Sequence, residues 1–176
     1  MKGRIEIITG CMFAGKSTEL INRVKSSKKN FLFIKPKLDS RYNKGTINTH
    51  SGEKTNALVV DSVSDIFSKL DHISLVAIDE AQFFNKSIVK DCLKISNMGI
   101  NIIMAGLEFD YLHKKFDSMS RLLEIADSVT RLTAICVECS SPATHSHRIV
   151  NKKSTILVGH KDYYEPLCTQ CYKKNV

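Results

Sequence analysis

Residues 10–17 of the chain read GCMFAGKS and match the pattern G-x-x-x-x-G-K-[ST], which restricts the possible folds more than any other feature of the sequence. The glycines let the backbone turn so that successive N–H groups face phosphate oxygens, and the helix that follows presents its positive end to the same anion. Lys16 is expected to reach the β- and γ-phosphates of a nucleotide, and the Ser17 hydroxyl to ligate Mg²⁺. The predicted phosphate-binding residues are Gly10, Cys11, Met12, Phe13, Ala14, Gly15, Lys16, Ser17 and Thr18.

The segments around this phosphate loop (residues 10–17) have the strand and helix patterns that the motif requires. Residues 5–9 are apolar and β-branched and predict a buried strand. Residues 17–29 lack glycine and proline and carry apolar residues at helical spacing, so they predict a helix. Residues 31–34 predict a second strand, and the polar, turn-rich segment 38–56 predicts a surface loop or a loose hairpin.

Strands and helices continue to alternate along the next part of the chain. Strands are predicted at residues 75–78, 100–105 and 129–135, and helices from residue 88 to near residue 99 and at residues 117–127. This alternation favours an α/β fold with a mostly parallel sheet and flanking crossover helices. We expect a phosphate-loop domain at residues 1–133 and a small C-terminal lobe at residues 134–176, where short segments carry paired cysteines.

A carboxylate pair, Asp79 and Glu80, follows the apolar segment at residues 75–78. Ligands of α/β sheets gather at the carboxyl ends of the strands, so the pair is expected beside the phosphate loop. Asp79 is therefore predicted to hold Mg²⁺ together with Ser17. Two roles remain open for Glu80 on these grounds, because it could help to hold the metal or accept a proton from a substrate.

Two C-x-x-C pairs lie in the C-terminal lobe, Cys136 with Cys139 and Cys168 with Cys171. Each pair can bind one side of a tetrahedral Zn²⁺, and four thiolates leave no open position for water. The pattern therefore predicts a structural zinc site, with redox pairs or surface thiols as the alternatives. Cys92 lies apart from these pairs and is predicted to be a core residue of a helix.

The composition describes a globular chain with a basic surface. Apolar residues make up 43% of the sequence, which suffices for a buried core, and the formal net charge is +8. This charge suits an anionic ligand such as a nucleotide, a nucleic acid or a membrane surface, although the lysines occur in small, scattered groups. The N-terminal segment is too short for a signal peptide or a membrane span, so we expect a cytoplasmic protein.

A zinc ribbon often binds nucleic acid, which gives a second hypothesis: a zinc-ribbon phosphate-loop ATPase that acts on nucleic acid. Against it, the segment between the cysteine pairs contains no cluster of aromatic and basic residues. His145, His147 and Arg148 come nearest to one.

Taken together, the motifs resemble the thymidine kinases of the cytosolic type found in animals, bacteria and poxviruses. The resemblance covers nearly the whole chain, in the expected order and spacing. The matching segments are residues 10–20 (GCMFAGKSTEL), 35–42 (KPKLDSRY), 49–52 (THSG), 79–84 (DEAQFF), 132–139 (LTAICVEC) and 158–172 (VGHKDYYEPLCTQCY).

The resemblance implies transfer of phosphate from ATP, with Mg²⁺, to the 5′-hydroxyl of thymidine, and of deoxyuridine as well. By position it makes Glu80 the general base, places Arg41 near the phosphates, and lays the chain between the cysteine pairs over the nucleoside. The thymidine-binding residues that it implies are Met12, Phe83, Leu107, Tyr111, Ser146, Val158, Gly159 and Tyr164. It also implies a homotetramer inhibited by thymidine triphosphate, with no nucleic-acid or membrane partner.

Three positions depart from the pattern of this family. Cys11 stands in the phosphate loop where proline or another small residue is common, and we expect it to be a neutral filler rather than a redox-sensitive thiol. Ser146 replaces the usual threonine, and His160 stands where animal enzymes have a second glycine. Because the last two belong to the base-binding region, they affect the contacts expected with thymidine more than the reaction.

Overall fold

The structure is a computed structural model that describes residues 1–37, 46–48, 54–150 and 163–175. Three of the predicted site residues, Arg41, Val158 and Gly159, lie outside these residues, as does His160. No helix in the described part of the chain is both long and apolar enough to cross a membrane.

Short strands and helices alternate along the chain. The strands are β1 (Ile5–Gly10), β2 (Phe31–Pro36), β3 (Thr46–Asn48), β4 (Lys54–Asn56), β5 (Leu58–Val60), β6 (Leu75–Ile78), β7 (Asn101–Gly106), β8 (Ser128–Leu132), β9 (Ala134–Ile135), β10 (Pro142–Ala143), β11 (His145–Arg148) and β12 (Tyr164–Leu167). The α-helices are α1 (Lys16–Ser26), α2 (Ile88–Asn97), α3 (Asp117–Glu124) and α4 (Thr169–Lys174). The described residues also form two 3₁₀ helices, Val63–Lys69 and Ala81–Phe83.

A six-stranded parallel sheet forms the centre of the molecule, in the order β5-β2-β6-β7-β1-β8. Its strands are apolar because the sheet is covered on both faces. In β1, for example, Ile5 and Ile7 pack with α2 and α3 residues, whereas Ile8 packs with α1 residues on the opposite face. The sheet and its flanking helices confirm the predicted α/β fold.

The carboxyl ends of β1 and β6 lie near each other because only β7 separates the two strands. The phosphate loop follows β1, and Asp79 and Glu80 follow β6. Parallel strands end at the same edge of the sheet, so the two motifs meet there. The predicted hairpin at residues 38–56 is confirmed in its described part, where β3 and β4 pair antiparallel.

Two predicted helices end earlier than expected because local contacts stop them. Helix α1 was predicted to reach residue 29 but ends at Ser26, where the Ser27 hydroxyl donates to the Val24 carbonyl and Lys28 adopts a positive φ of 52°. Helix α3 was predicted to reach residue 127. It ends at Glu124, and the Asp127 carboxylate accepts a hydrogen bond of 2.7 Å from the Ile5 N–H.

The predicted strand at residues 129–135 is confirmed as far as Leu132, where β8 ends and the chain leaves the main sheet. Strand β8 pairs with β1, whereas the next two residues form β9 and pair with β10 in a separate sheet. Strands β11 and β12 pair antiparallel, and α4 packs on both. The described part of the C-terminal lobe therefore consists of two small sheets and one short helix. Strand β5 and the 3₁₀ helix Val63–Lys69 were not predicted.

Candidate active site

The phosphate loop turns through backbone conformations that its sequence permits. Gly10 has a φ of 149°, and a Cβ atom there would lie 2.3 Å from the Leu132 carbonyl oxygen. Gly15 has a φ of 82° and stands immediately before α1. Both glycines therefore occupy positions that other residues fill poorly. Phe13 adopts a positive φ of 67° as well, a conformation that is uncommon outside glycine.

Lys16 and Ser17 open helix α1 and face the functional edge of the sheet. The Lys16 ammonium donates a 2.8 Å hydrogen bond to the Cys11 carbonyl across the loop. The Ser17 hydroxyl lies 3.0 Å from each carboxylate oxygen of Asp79. The structure thus brings together the two residues that the sequence assigned to magnesium.

The spacing of these oxygens fits a magnesium ion. Neighbouring ligands of an octahedral Mg²⁺ at about 2.1 Å lie about 3.0 Å apart. Asp79 is only 6% exposed, and its carboxylate also accepts a 3.1 Å bond from the Glu80 N–H. An oxygen-only pair in this buried position suits a hard cation, so Ser17 and Asp79 could hold Mg²⁺ together with a bound phosphate.

Glu80 occupies a strained backbone position beside this pair. Its φ of 54° and ψ of 43° are left-handed, a conformation that costs a residue with a side chain about 1 kcal/mol or more. A tight 3₁₀ turn follows, in which the Phe83 N–H donates to the Glu80 carbonyl. The turn aims Glu80 away from the strand direction while Asp79 remains at the strand end.

Gln82, which sequence reasoning did not select, contacts Glu80 directly. Its side-chain amide donates to a Glu80 carboxylate oxygen at 2.5 Å and accepts from the Leu107 N–H at 3.0 Å. Gln82 is 4% exposed. A polar residue two positions after a candidate functional carboxylate, inside the segment DEAQFF, was the one sequence signal that could have identified it.

Tyr111 and Tyr164, two of the predicted thymidine-binding residues, meet through Arg148. The Arg148 guanidinium lies 3.6 Å from the centroid of the Tyr111 ring and donates a 2.6 Å hydrogen bond to the Tyr164 hydroxyl. Arg148 and Tyr164 are buried on the paired strands β11 and β12. The sequence placed Arg148 only among possible nucleic-acid contacts, whereas the structure packs it against these aromatic rings.

Ser146 contacts the phosphate loop through its hydroxyl. The Met12 N–H donates a 2.9 Å hydrogen bond to the Ser146 Oγ, and Ser146 is 7% exposed. The two residues were both predicted to contact thymidine. The structure brings them together, with Ser146 reaching the loop from the strand that also carries Arg148.

Cys11 fastens the same part of the loop to the C-terminal lobe. Its thiol donates to the Ala143 carbonyl at 3.2 Å, and burial raises the pKa of this thiol above its usual range. Phe13 and Ala14 pack against the same apolar cluster. The prediction of a filler role is in accord with this buried position, although the residue also links the loop to the lobe.

Phe83 and Leu107 lie on either side of the Glu80–Gln82 contact. Phe83 belongs to the 3₁₀ turn, and its ring meets the Phe116 ring edge-on at 6.3 Å between centroids. Leu107 directly follows β7 and is partly exposed. Both side chains thus stand at the sheet edge that carries Asp79 and Glu80.

The four paired cysteines converge in the C-terminal lobe. The Sγ atoms of Cys136, Cys139, Cys168 and Cys171 all lie within 4.8 Å of one another. Sulfurs bound tetrahedrally to zinc at about 2.3 Å lie about 3.8 Å apart, and Cys139 and Cys168 are separated by 3.6 Å. Hydrogen bonds from Ser141 lower the pKa of Cys139 to about 6, whereas the Glu138 carboxylate raises the pKa of the Cys171 thiol. The donor set therefore fits zinc.

A stack of four rings also joins the sheet to the C-terminal lobe. Phe109 stacks on His113 at 4.2 Å, His113 on His145 at 4.4 Å, and His145 on Tyr172 at 4.4 Å between centroids. Burial, helped by the facing His113, lowers the pKa of His145. A neutral ring suits this stacked position. The stack fastens the segment after β7, which carries Leu107 and Tyr111, to the lobe.

Comparison with protein families decides among the activities that this geometry allows. Residues 3–172 match the family model described as "Thymidine kinase". The chain belongs to the thymidine kinase family. Membership assigns to it the phosphorylation of thymidine with ATP as the phosphate donor, in accord with the resemblance found in the sequence.

Relatives of known name support this membership over the full length of the thymidine kinase fold. A thymidine kinase of Bacteroides fragilis is 39% identical over 98% of this chain and 88% of its own. A thymidine kinase of Bacteroides thetaiotaomicron is 40% identical over 97% of this chain and 87% of its own. A thymidine kinase of Chloroflexus aurantiacus is 38% identical over 99% of this chain and 96% of its own. The Legionella pneumophila ATPase DotB superimposes with a TM-score of only 0.42 at 15% identity, over 71% of this chain and 35% of its own.

Proposed function

We propose that the edge of the sheet formed by β1 and β6 transfers the γ-phosphate of ATP to the 5′-hydroxyl of thymidine, with Glu80 as the general base. The observation that carries this proposal is the contact between Ser17 and Asp79, 3.0 Å apart, with Glu80 as the next residue. A phosphate site and a proton acceptor then lie side by side, as in-line transfer requires.

The phosphate loop binds the triphosphate in this proposal. Its backbone N–H groups and the start of α1 face the phosphates, and Lys16 neutralises charge on the γ-phosphate. Arg41, outside the described residues, is proposed to add a second positive charge. Ser17 and Asp79 would hold Mg²⁺, which neutralises charge on the β- and γ-phosphates when it is bound.

Glu80 is proposed as the base because Asp79 already serves the metal. Magnesium keeps several waters and needs few protein carboxylates, so the site does not require Glu80 as a second carboxylate ligand. The left-handed backbone of Glu80 is strained. Stored strain of this kind is common at functional positions. The contact between Ser17 and Asp79 favours Asp79 as the metal ligand and leaves the proton-acceptor role to Glu80 in this proposal.

Thymidine is proposed to bind between aromatic walls. A nucleoside base is flat and largely apolar, and it requires such walls with a few fixed polar groups. The main chain at Val158 and Gly159 is proposed to supply polar groups from the segment between the cysteine pairs. The proposed wall residues are Met12, Phe83, Leu107, Tyr111, Ser146 and Tyr164.

The C-terminal lobe is proposed to bind a structural Zn²⁺ through its four cysteines. The chain then divides into a kinase domain at residues 1–133 and a zinc-binding lobe at residues 134–176. Fixing both ends of the connecting segment lowers the entropy cost of closing it over thymidine. We further propose that the enzyme is a cytoplasmic homotetramer of nucleotide salvage for DNA synthesis, inhibited by thymidine triphosphate.

A nucleoside panel tests the proposal. With ATP and Mg²⁺ and no nucleic acid, thymidine and deoxyuridine should be phosphorylated and deoxyguanosine should not. A closed pocket with fixed polar groups rejects a two-ring base because those groups would be left unpaired. ATP turnover that requires nucleic acid would instead favour the zinc-ribbon ATPase. Equal activity on deoxyguanosine would contradict the proposed pocket.

A further inference from the structure

Gln82 connects two groups that the reaction needs at a fixed separation. Its side-chain amide nitrogen donates to the Glu80 carboxylate at 2.5 Å, and its amide oxygen accepts from the Leu107 N–H at 3.0 Å. Glu80 is the proposed base and Leu107 a proposed wall of the thymidine pocket. One side chain therefore spans from the proton acceptor to the substrate pocket.

The chemistry of the two partners suits an amide between them. A carboxylate can only accept hydrogen bonds and a backbone N–H can only donate, so the bridging group must donate at one end and accept at the other. These partners also settle the orientation of the Gln82 amide. A glutamate would repel Glu80, a lysine could not accept from Leu107, and an apolar residue would satisfy neither partner.

The surroundings leave the Gln82 side chain little freedom. Gln82 is 4% exposed, and its own carbonyl accepts a 3.1 Å hydrogen bond from the Ser118 hydroxyl on α3. A Cβ atom at Gly106 would lie 3.0 Å from the Gln82 amide oxygen and 2.8 Å from the Met119 sulfur. The absence of a side chain at Gly106 thus leaves the space that the amide fills.

We propose that Gln82 is a positioning residue that orients the Glu80 carboxylate toward the nucleoside and fixes its distance from the Leu107 wall. Glu80 needs such help because its backbone is held in a left-handed conformation and its side chain stands at the partly open edge of the sheet. A misplaced base transfers protons poorly even when its chemistry is unchanged. This inference rests on the proposed role of Glu80 as the base.

A double-mutant cycle tests the inference. The four proteins are the parent, Gln82→Met, Glu80→Gln and the double variant, each assayed for kcat with saturating ATP and thymidine. Gln82→Met should lower kcat by about 10- to 100-fold, the loss expected for a hydrogen bond to a charged group. The KM for ATP should change little, because Gln82 does not touch the phosphate loop in any described contact. In the Glu80→Gln background the same change should cost less than about threefold, because no base remains to be oriented.

The outcomes separate this inference from the proposed function. Equal losses in both backgrounds would show that Gln82 acts independently of Glu80, and would overturn the inference while leaving the base in place. Normal kcat in Glu80→Gln would overturn the base itself, and with it the inference.

Two further variants control for effects on folding. Gln82→Asn keeps an amide, but its side chain is one methylene too short to span both partners. Like Gln82→Met, it should lower kcat when Glu80 is present and much less in the Glu80→Gln background, with less disturbance of the buried site. Gln170, the only other glutamine of the chain, is exposed, and Gln170→Met applies the same replacement where no effect on kcat is expected. Thermal unfolding verifies that each variant is folded.

Discussion

The Ser146 hydroxyl accepts a hydrogen bond from the Met12 N–H at 2.9 Å, and so attaches the C-terminal lobe to the phosphate loop. The Cys11 thiol donates to the Ala143 carbonyl beside it. Both contacts bridge more than 130 residues of sequence. The conformation of the phosphate loop therefore depends on a lobe that ligates no phosphate in our proposal.

Removing the Ser146 hydroxyl should lower kcat/KM for ATP. Ser146→Ala leaves the partly buried Met12 N–H without its acceptor, at a cost of about 1–3 kcal/mol for a donor that loses its partner away from water. We expect kcat/KM for ATP to fall by about 5- to 100-fold. Ser146→Thr retains the hydroxyl and should stay within about threefold of the parent. Steady-state kinetics with varied ATP measures kcat/KM. A Ser146→Ala variant with normal kcat/KM for ATP would show that the phosphate loop does not depend on this hydrogen bond.

Zinc removal should increase local unfolding of the C-terminal lobe and of the phosphate loop, while the central sheet stays folded. The purified protein should contain about one zinc per chain. After chelation, amide hydrogen exchange should rise at residues 134–143 and at residues 11–14, because these segments share one apolar cluster. Amides of the central strand β7 should remain protected.

The comparison for this experiment is a ligand variant. Cys139→Ser should lose zinc and reproduce the exchange pattern of the chelated parent. Protein that contains no zinc and has four freely titrating lobe thiols would rule out the metal site. Unchanged exchange at residues 11–14 after zinc loss would show that the loop keeps its conformation without the lobe.

Arg148 should control thymidine affinity without affecting ATP. Its guanidinium covers the Tyr111 ring and holds the Tyr164 hydroxyl, so both proposed walls depend on it. Arg148→Met should raise the KM for thymidine by about 10- to 100-fold, and Arg148→Lys by less, because lysine keeps the charge without the planar contact. Arg121→Met, at an exposed arginine of α3, is the matched control. An unchanged KM for thymidine in Arg148→Met would show that these tyrosines do not line the thymidine pocket.

Cys11 should resist alkylation although it lies in the phosphate loop. Reagents attack the thiolate, and burial raises the pKa of Cys11 above the ordinary value of 9.0, so little thiolate exists at pH 8. Reactivity should rise only as the pH passes this raised value. Mass spectrometry after iodoacetamide treatment of the native protein in the presence of Zn²⁺ should find Cys11 and the buried Cys92 unmodified. Labelling of Cys11 in step with loss of activity would contradict this.

Local patterns predicted the parts of the site that depend on adjacent residues. The phosphate loop, the strand before Asp79 and the cysteine pairs follow from motifs whose geometry is set within a few positions. The buried position of Cys92 on α2 also followed from helical spacing. The strand predicted at residues 129–135 was right only as far as Leu132, for the opposite reason. No local signal marks the break at Thr133, where the partner strand changes from β1 to β10.

The supporting residues could not be predicted because their partners are distant in sequence. Ser146 was assigned to thymidine, and its contact with Met12 requires β11 to lie against the phosphate loop. Arg148 was named only as a possible nucleic-acid contact, whereas β11 and β12 place it beside two tyrosines. Gln82 carried only a weak signal, since its second partner, Leu107, lies on another strand's end. Tertiary contacts, rather than local pattern, determine these roles.

The most direct test of the proposed mechanism compares Glu80→Gln with Asp79→Asn. Kinetics and equilibrium binding give kcat, the thymidine Kd and the magnesium dependence for each variant. Glu80→Gln should lower kcat by about 10²- to 10⁴-fold with thymidine and ATP binding little changed, because the shape is kept and the base is lost. Asp79→Asn should mainly weaken the binding of Mg²⁺, so that activity requires a higher Mg²⁺ concentration. Normal turnover in Glu80→Gln would contradict the mechanism, and a loss of ATP–magnesium binding in that variant would make Glu80 a metal ligand instead.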